Sequence, residues 1–91
     1  QQMLDLYLGQ SVIYINDIAS ATSVEQQQEW QEYCHKMKGA AGSVGLLLVH
    51  KKLVEIEKSE VNEESKKTMV DDLKELNQNA TNIFITLLSK N

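Results

Sequence analysis

His35, Lys38 and Gly39 stand three and four residues apart, so on a helix they share one face. Gly42 continues that row, and Gly45 follows it. The face beside the histidine thus carries one cation and otherwise almost no side chains. A neutral imidazole is a competent nucleophile near neutral pH, because its unperturbed pKa is about 6.5. Phosphoryl transfer asks little covalent chemistry of a protein beyond position and charge stabilisation. A lysine one turn from the histidine can neutralise part of a phosphoryl charge. The glycines each cost a helix interior about 1 kcal/mol relative to alanine, so they call for a reason. They either let another protein's backbone approach the imidazole or let a neighbouring helix pack closely. Access is the preferred reading for Gly39 and Gly42, and the end of the helix for Gly45.

No second constellation rivals this one. His35, His50 and Glu57 lack the short local spacings of a metal site, so no metal is expected in the chain. Cys34 falls on an apolar stripe, where a thiol is inert filling. No glycine-rich nucleotide loop is present, so the chain has no ATP site of its own.

The elements that must position His35 are helices. In the first segment Leu4, Leu8, Val12, Ile15, Ile18 and Ala19 recur at helical spacing. Ser23, with Gln26 at the reciprocal position, predicts the N-terminus of a second helix. Its apolar face is Trp30, Cys34, Met37, Ala41 and Val44, and Gly42, Ser43 and Gly45 mark its end. His35 lies one residue from Cys34 and points about 100° away from that stripe, towards solvent. A third helix carries Leu46, Val49, Leu53 and Ile56. Asn62 is the predicted N-cap of a fourth helix, with Glu63 and Glu64 suited to its dipole. That helix repeats Met69, Leu73, Leu76, Ala80, Ile83, Leu87 and Leu88, through to Lys90. Four amphipathic helices with short connections predict an all-α, antiparallel, up-down-up-down four-helix bundle. Residues 1–91 are read as one domain, expected to be monomeric in isolation.

In such a hairpin, turning near Gly45, residues near 55 lie across from His35. Glu57, next to Ile56 of the stripe, can present its carboxylate to Nδ1–H of His35 or face solvent, and both readings stay open. His50 is assigned to a basic rim.

Composition excludes several classes. With 42% hydrophobic and 24% charged residues the chain is too apolar to be disordered and is ordinary for a globular domain. Its longest apolar run, Leu46 to Val49, cannot span a bilayer. A net charge of −4 makes nucleic acid an unsuitable partner. Charge is unevenly placed. Between Tyr33 and Val54 there are four lysines (Lys36, Lys38, Lys51, Lys52) and no acid, against five lysines and thirteen acids elsewhere. That basic middle is either a patch for an acidic protein surface or a solvated face. The lone cysteine fits a reducing cytoplasm, and no direct membrane contact is expected. Because the chain starts at Gln1, it reads as a piece of a longer protein, whose own membrane anchor would be invisible here.

The run HKMKGAAGSVGL, from His35 to Leu46, resembles the signature of histidine phosphotransfer domains. It is similar to those at the C-termini of tripartite hybrid sensor kinases that respond to anaerobic redox state or trimethylamine N-oxide. The resemblance covers the motif and the leucine-rich helix after it closely, and the flanking helices only in pattern. It implies that His35 is the phosphoacceptor through Nε2, that Lys38 steadies the phosphoryl group and that Gly39 and Gly42 clear space for a receiver domain. Glu57 would fix the imidazole tautomer, and Lys36, Lys51 and Lys52 would line the docking rim. The implied partners are receiver domains of a hybrid kinase or response regulator, which would themselves hold Mg2+. The implied parent is a hybrid sensor kinase, anchored in the inner membrane with this domain on the cytoplasmic side. A helical module that binds proteins without being phosphorylated, and a fragment of an enzyme with an acid–base or metal site, are the alternatives.

Overall fold

The computed structural model describes the backbone of residues 2–89 and the side chains of residues 5–87 and 89. The side chains of Leu4 and Leu88 of the predicted stripes, and Lys90 at the predicted end of the last helix, lie outside what is described. Four helices follow one another: α1 (Gln2–Ser20), α2 (Gln27–Ser43), α3 (Leu47–Glu57) and α4 (Glu63–Ser89). Each packs on its neighbour in sequence and α4 closes on α1, which makes the all-α, antiparallel bundle. No described helix is long and apolar enough to cross a membrane.

Local chemistry sets the helix ends. Asn62 caps α4, its Oδ1 accepting from the Ser65 amide at 2.8 Å, the expected satisfaction of a free N-terminal N–H. At the end of α2, Leu46 N–H donates to the Ala41 carbonyl at 2.9 Å and Gly45 N–H to the Gly42 carbonyl at 3.2 Å. With Gly45 at φ +84° this is a Schellman motif, and it requires glycine there. Ser23 differs from its predicted role. It caps a single 3-10 turn, Val24–Gln26, with Oγ accepting from the Glu25 amide, and α2 begins only at Gln27. The extra turn follows the burial of Ala21 and Thr22, after which the chain must be re-aimed before Trp30 can enter the core.

The interior stripes of α2 and α3 are those predicted, save that Val44 is only half-buried just beyond α2 and Leu46 is the residue before α3. Trp30, Cys34, Met37 and Ala41 meet Leu46, Val49, Leu53 and Ile56, all buried. The stripes of α1 and α4 are rotated from prediction. On α1 the buried row is Tyr7, Ser11, Ile15 and Ile18, while Val12 and Ala19 face solvent and Leu8 is half-buried. On α4 it is Lys66, Val70, Leu73, Asn77 and Thr81, with Ile83 and Leu87 exposed and Met69, Leu76 and Ala80 at the margin. Two causes act. First, the seam between α1 and α4 holds a polar chain: Tyr7 Oη donates to Asn77 Oδ1 at 2.6 Å, and Asn77 Nδ2 to Ser11 Oγ at 3.3 Å. Burial is tolerable for these groups because each finds a partner. Second, α4 has 27 residues against 11 in α3. Its last turns reach the α2–α3 corner, where Ile83 and Leu87 line an open depression with Gly45 to Leu48 and stay exposed.

A second buried polar cluster joins α2 to the start of α4. The Lys66 ammonium donates to Gln27 Oε1 and lies 5.1 Å from the centre of the Trp30 ring, a cation–π arrangement. Gln27 Nε2 and Trp30 Nε1 donate to the carbonyls of Ser59 and Ile56, each at 2.9 Å. This clamp fixes the angle between α2 and α3 at the end of the bundle nearest Glu57.

Candidate functional site

His35 sits mid-way along α2, one residue after buried Cys34, with its side chain 71% exposed. The 100° step between successive helical residues turns it out of the core. On its outer side is a shallow depression lined by Gln28, Gln31, Glu32 and Lys36. On its inner side lie Lys38, one turn along α2, and Glu57, from the last turn of α3. The Lys38 ammonium is 2.8 Å from Glu57 Oε1, and His35 Nδ1 is 3.8 Å from the same oxygen. The first distance is an ion pair with hydrogen-bond length; the second is too long for a hydrogen bond. Oε1 itself is closed to solvent and makes no hydrogen bond, so the contact with Lys38 is an ion pair without hydrogen-bond geometry. Nδ1 of the imidazole thus faces a carboxylate, and its Nε2 edge is left towards solvent.

The other residues singled out in the sequence divide. Gly39 is exposed and a methyl group there would meet nothing within 4 Å, so the surface beside the histidine is bare. Gly42 has a different neighbour: a Cβ there would stand 3.3 Å from His50 Nδ1. The close approach of a neighbouring side chain, the less favoured of its two sequence readings, is therefore present at Gly42. His50 is half-buried and its Nδ1 lies 3.1 Å from the Lys38 carbonyl, a cross-helix strut at the residue that faces Glu57. It belongs to the scaffold of the site, and its place there was not legible from spacing alone. A small residue on α2 exactly opposite a polar one on α3 is the signal that could have found it.

The basic middle does not converge on one point. Lys36 is exposed with its ammonium 5.8 Å from the Tyr33 ring centre. Lys51 is exposed and Lys52 half-buried. At 100° per residue both stand more than about 100° round α3 from Glu57, on opposite flanks. Neither joins the His35–Lys38–Glu57 cluster.

Cys34 lies directly behind that cluster. Burial, and then the nearby Glu57 carboxylate, push its thiol up to about 12, so it stays protonated and unreactive. Among the described residues no three His, Cys, Asp or Glu side chains form a group able to hold a metal ion. The arrangement offers a solvent-facing imidazole nucleophile with a carboxylate behind its ring, an ammonium at its side and an open, shallow depression next to it.

A family model described as Hpt domain matches residues 2–83. No curated protein and no solved structure matches the chain.

Proposed function

The chain belongs to the Hpt domain family, whose work is histidine phosphotransfer in phosphorelay signalling with receiver domains as partners, and we propose that His35 is its phosphoacceptor. The observation that carries this reading is the His35 imidazole, 71% exposed on α2 with Lys38 and Glu57 at its inner edge. In the proposed reaction the Nε2 lone pair attacks the phosphorus of a receiver's aspartyl phosphate. The acyl P–O bond breaks and its electron pair returns to the aspartate carboxylate. Passage to a response regulator is the reverse step on a second receiver.

Three features of the chain support the assignment of roles. Lys38 stands one turn along α2 from His35, and a charge-assisted contact from it to phosphoryl oxygens on Nε2 would be worth about 1.5–3 kcal/mol. The bare surface at Gly39 leaves room for the receiver to bring its aspartate to the ring. Lys36, exposed one residue after His35, and Lys51, exposed further round α3, supply positive charge suited to steering a receiver's acidic pocket, and the divalent metal of the reaction is assigned to that pocket, as Mg2+. Gly42 and Lys52 take lesser parts, since one is occupied by His50 and the other is turned to a flank.

Phosphotransfer from a panel of phosphorylated receivers, followed by mapping of the modified residue, tests the proposal. The label is expected on His35, lost in acid and stable in alkali, as a phosphoramidate is. A label that alkali removes, or one on another residue, overturns it.

A further inference from the structure

Glu57 Oε1 is the one atom on which the site converges. It is closed to solvent, 2.8 Å from Lys38 Nζ and 3.8 Å from His35 Nδ1. The Lys38 and Glu57 side chains are largely covered, at 22% and 25% exposed. A carboxylate oxygen cut off from water needs a cation or a donor beside it, because an unmatched buried charge is costly. In the free protein Oε1 makes no hydrogen bond, and the Lys38 ammonium 2.8 Å away is the cation that balances it. The imidazole waits just beyond hydrogen-bond range, and a small ring rotation would bring it in.

Phosphorylation changes what each group demands. Nε2 gains the P–N bond and Nδ1 keeps its proton, so the first product is a phosphoimidazolium, a cationic ring bearing an anionic phosphoryl group. The phosphoryl oxygens now attract the Lys38 ammonium, and the ring Nδ1–H has become a stronger donor than before. The charged groups about the ring are Glu32 and Lys36 beside the outer depression and Lys38 and Glu57 on the inner side. Of these, Glu57 is the anion at Nδ1.

We propose that Glu57 is a positioning residue that exchanges partners when His35 is phosphorylated, releasing Lys38 to the phosphoryl oxygens and taking Nδ1–H in its place. The proposal rests on His35 being the phosphoacceptor. Its consequence is chemical. With Nδ1 kept protonated, the ring departs as neutral imidazole when the phosphoryl group moves on. Without that proton it would have to depart as imidazolate, a far poorer leaving group. Glu57 therefore parks the lysine in the free carrier and labilises the phosphohistidine in the loaded one.

The whole chain, phosphorylated with phosphoramidate, provides the test without a partner protein. Glu57→Gln should slow hydrolysis of the phosphohistidine about fivefold at neutral pH, the size of one partly screened ion pair. Nitrogen NMR reads the exchange itself. The substitution should shift the Lys38 ammonium in the free protein but not in the phosphorylated one, and His35 Nδ1 mainly in the phosphorylated one. The same Lys38 response in both states, or hydrolysis at the wild-type rate, overturns the proposal. Should the variant fold poorly, wild-type Lys38 Nζ and Glu57 carboxyl shifts that stay unchanged on phosphorylation overturn it equally. A label found away from His35 instead defeats the phosphoacceptor reading, and residue mapping of the same sample separates the two failures.

Discussion

The α2–α3 hairpin and the α1–α4 pair treat polar side chains in opposite ways. Between α1 and α4, Tyr7, Ser11 and Asn77 are buried and joined to one another by hydrogen bonds. On the hairpin the interior is apolar, and the polar groups gather at its rim around one carboxylate oxygen that two groups approach. Satisfied buried networks hold a single arrangement, because every alternative leaves a group unpaired. A half-open rim can change partners at little cost. The first region fixes the bundle, and the second is free to react.

Substitutions at the centre of each region should separate these roles most sharply. His35→Gln should abolish labelling by a phosphorylated receiver while the thermal midpoint stays within about 1–2 °C of wild type, since an exposed position contributes little to stability. Label retained in this variant would dissolve the contrast. On the other side, Asn77→Ala strands the Tyr7 hydroxyl and removes the donor to Ser11 Oγ, which keeps its bond to the Leu8 carbonyl, and should cost about 2 kcal/mol in urea unfolding. Transfer by the remaining folded protein should be unaltered; a lowered rate per folded molecule would mean that the seam and the site are coupled.

A smaller effect is expected at the rim. Lys51→Glu should slow association with a receiver by roughly threefold at low salt, and the difference should vanish as the Debye length falls below about 8 Å. Lys52→Glu should do less, because its side chain is half-buried on the other flank of α3. Equal effects in stopped-flow transfer would show that the positive rim is wider than the hairpin geometry indicates.

The smallest effect is a shared response to alkali. Burial raises the Tyr7 hydroxyl from 10.0 to about 12 and, with Glu57 nearby, the Cys34 thiol from 9.0 to about 12. Both groups hold their protons more tightly folded than unfolded. The stability they contribute is complete below pH 9 and is lost as pH rises towards 12. Unfolding measured across that window should therefore show falling stability, with a shallower slope in Cys34→Ala. A slope untouched by that substitution would mean that the thiol titrates alike in both states.

Much of the hairpin was legible in the residues. Trp30, Cys34, Met37 and Ala41, and then Val49, Leu53 and Ile56, are apolar at helical spacing, and the interior they face is apolar too. His35 follows from them by one step of 100°. The same counting fails on α1 and α4, where it favours Val12 over Ser11 and Ile83 over Thr81. Periodicity weighs each side chain by its own polarity, and it has no means of knowing that Ser11 will meet Asn77 or that Lys66 will meet Gln27.

What the sequence determined by itself is therefore what depends on near neighbours along the chain: four helices, the Asn62 cap, the Gly45 stop, and an imidazole outside the core beside Lys38 and Gly39. The tertiary structure decided what depends on distance across helices. It chose the buried rows of α1 and α4, seated His50 in the space left by Gly42, and set Lys38 rather than His35 within bonding range of Glu57. The reason is physical. A helix stripe is a sum of local terms, whereas the satisfaction of a buried donor or carboxylate is a property of two residues that only the packed bundle brings together.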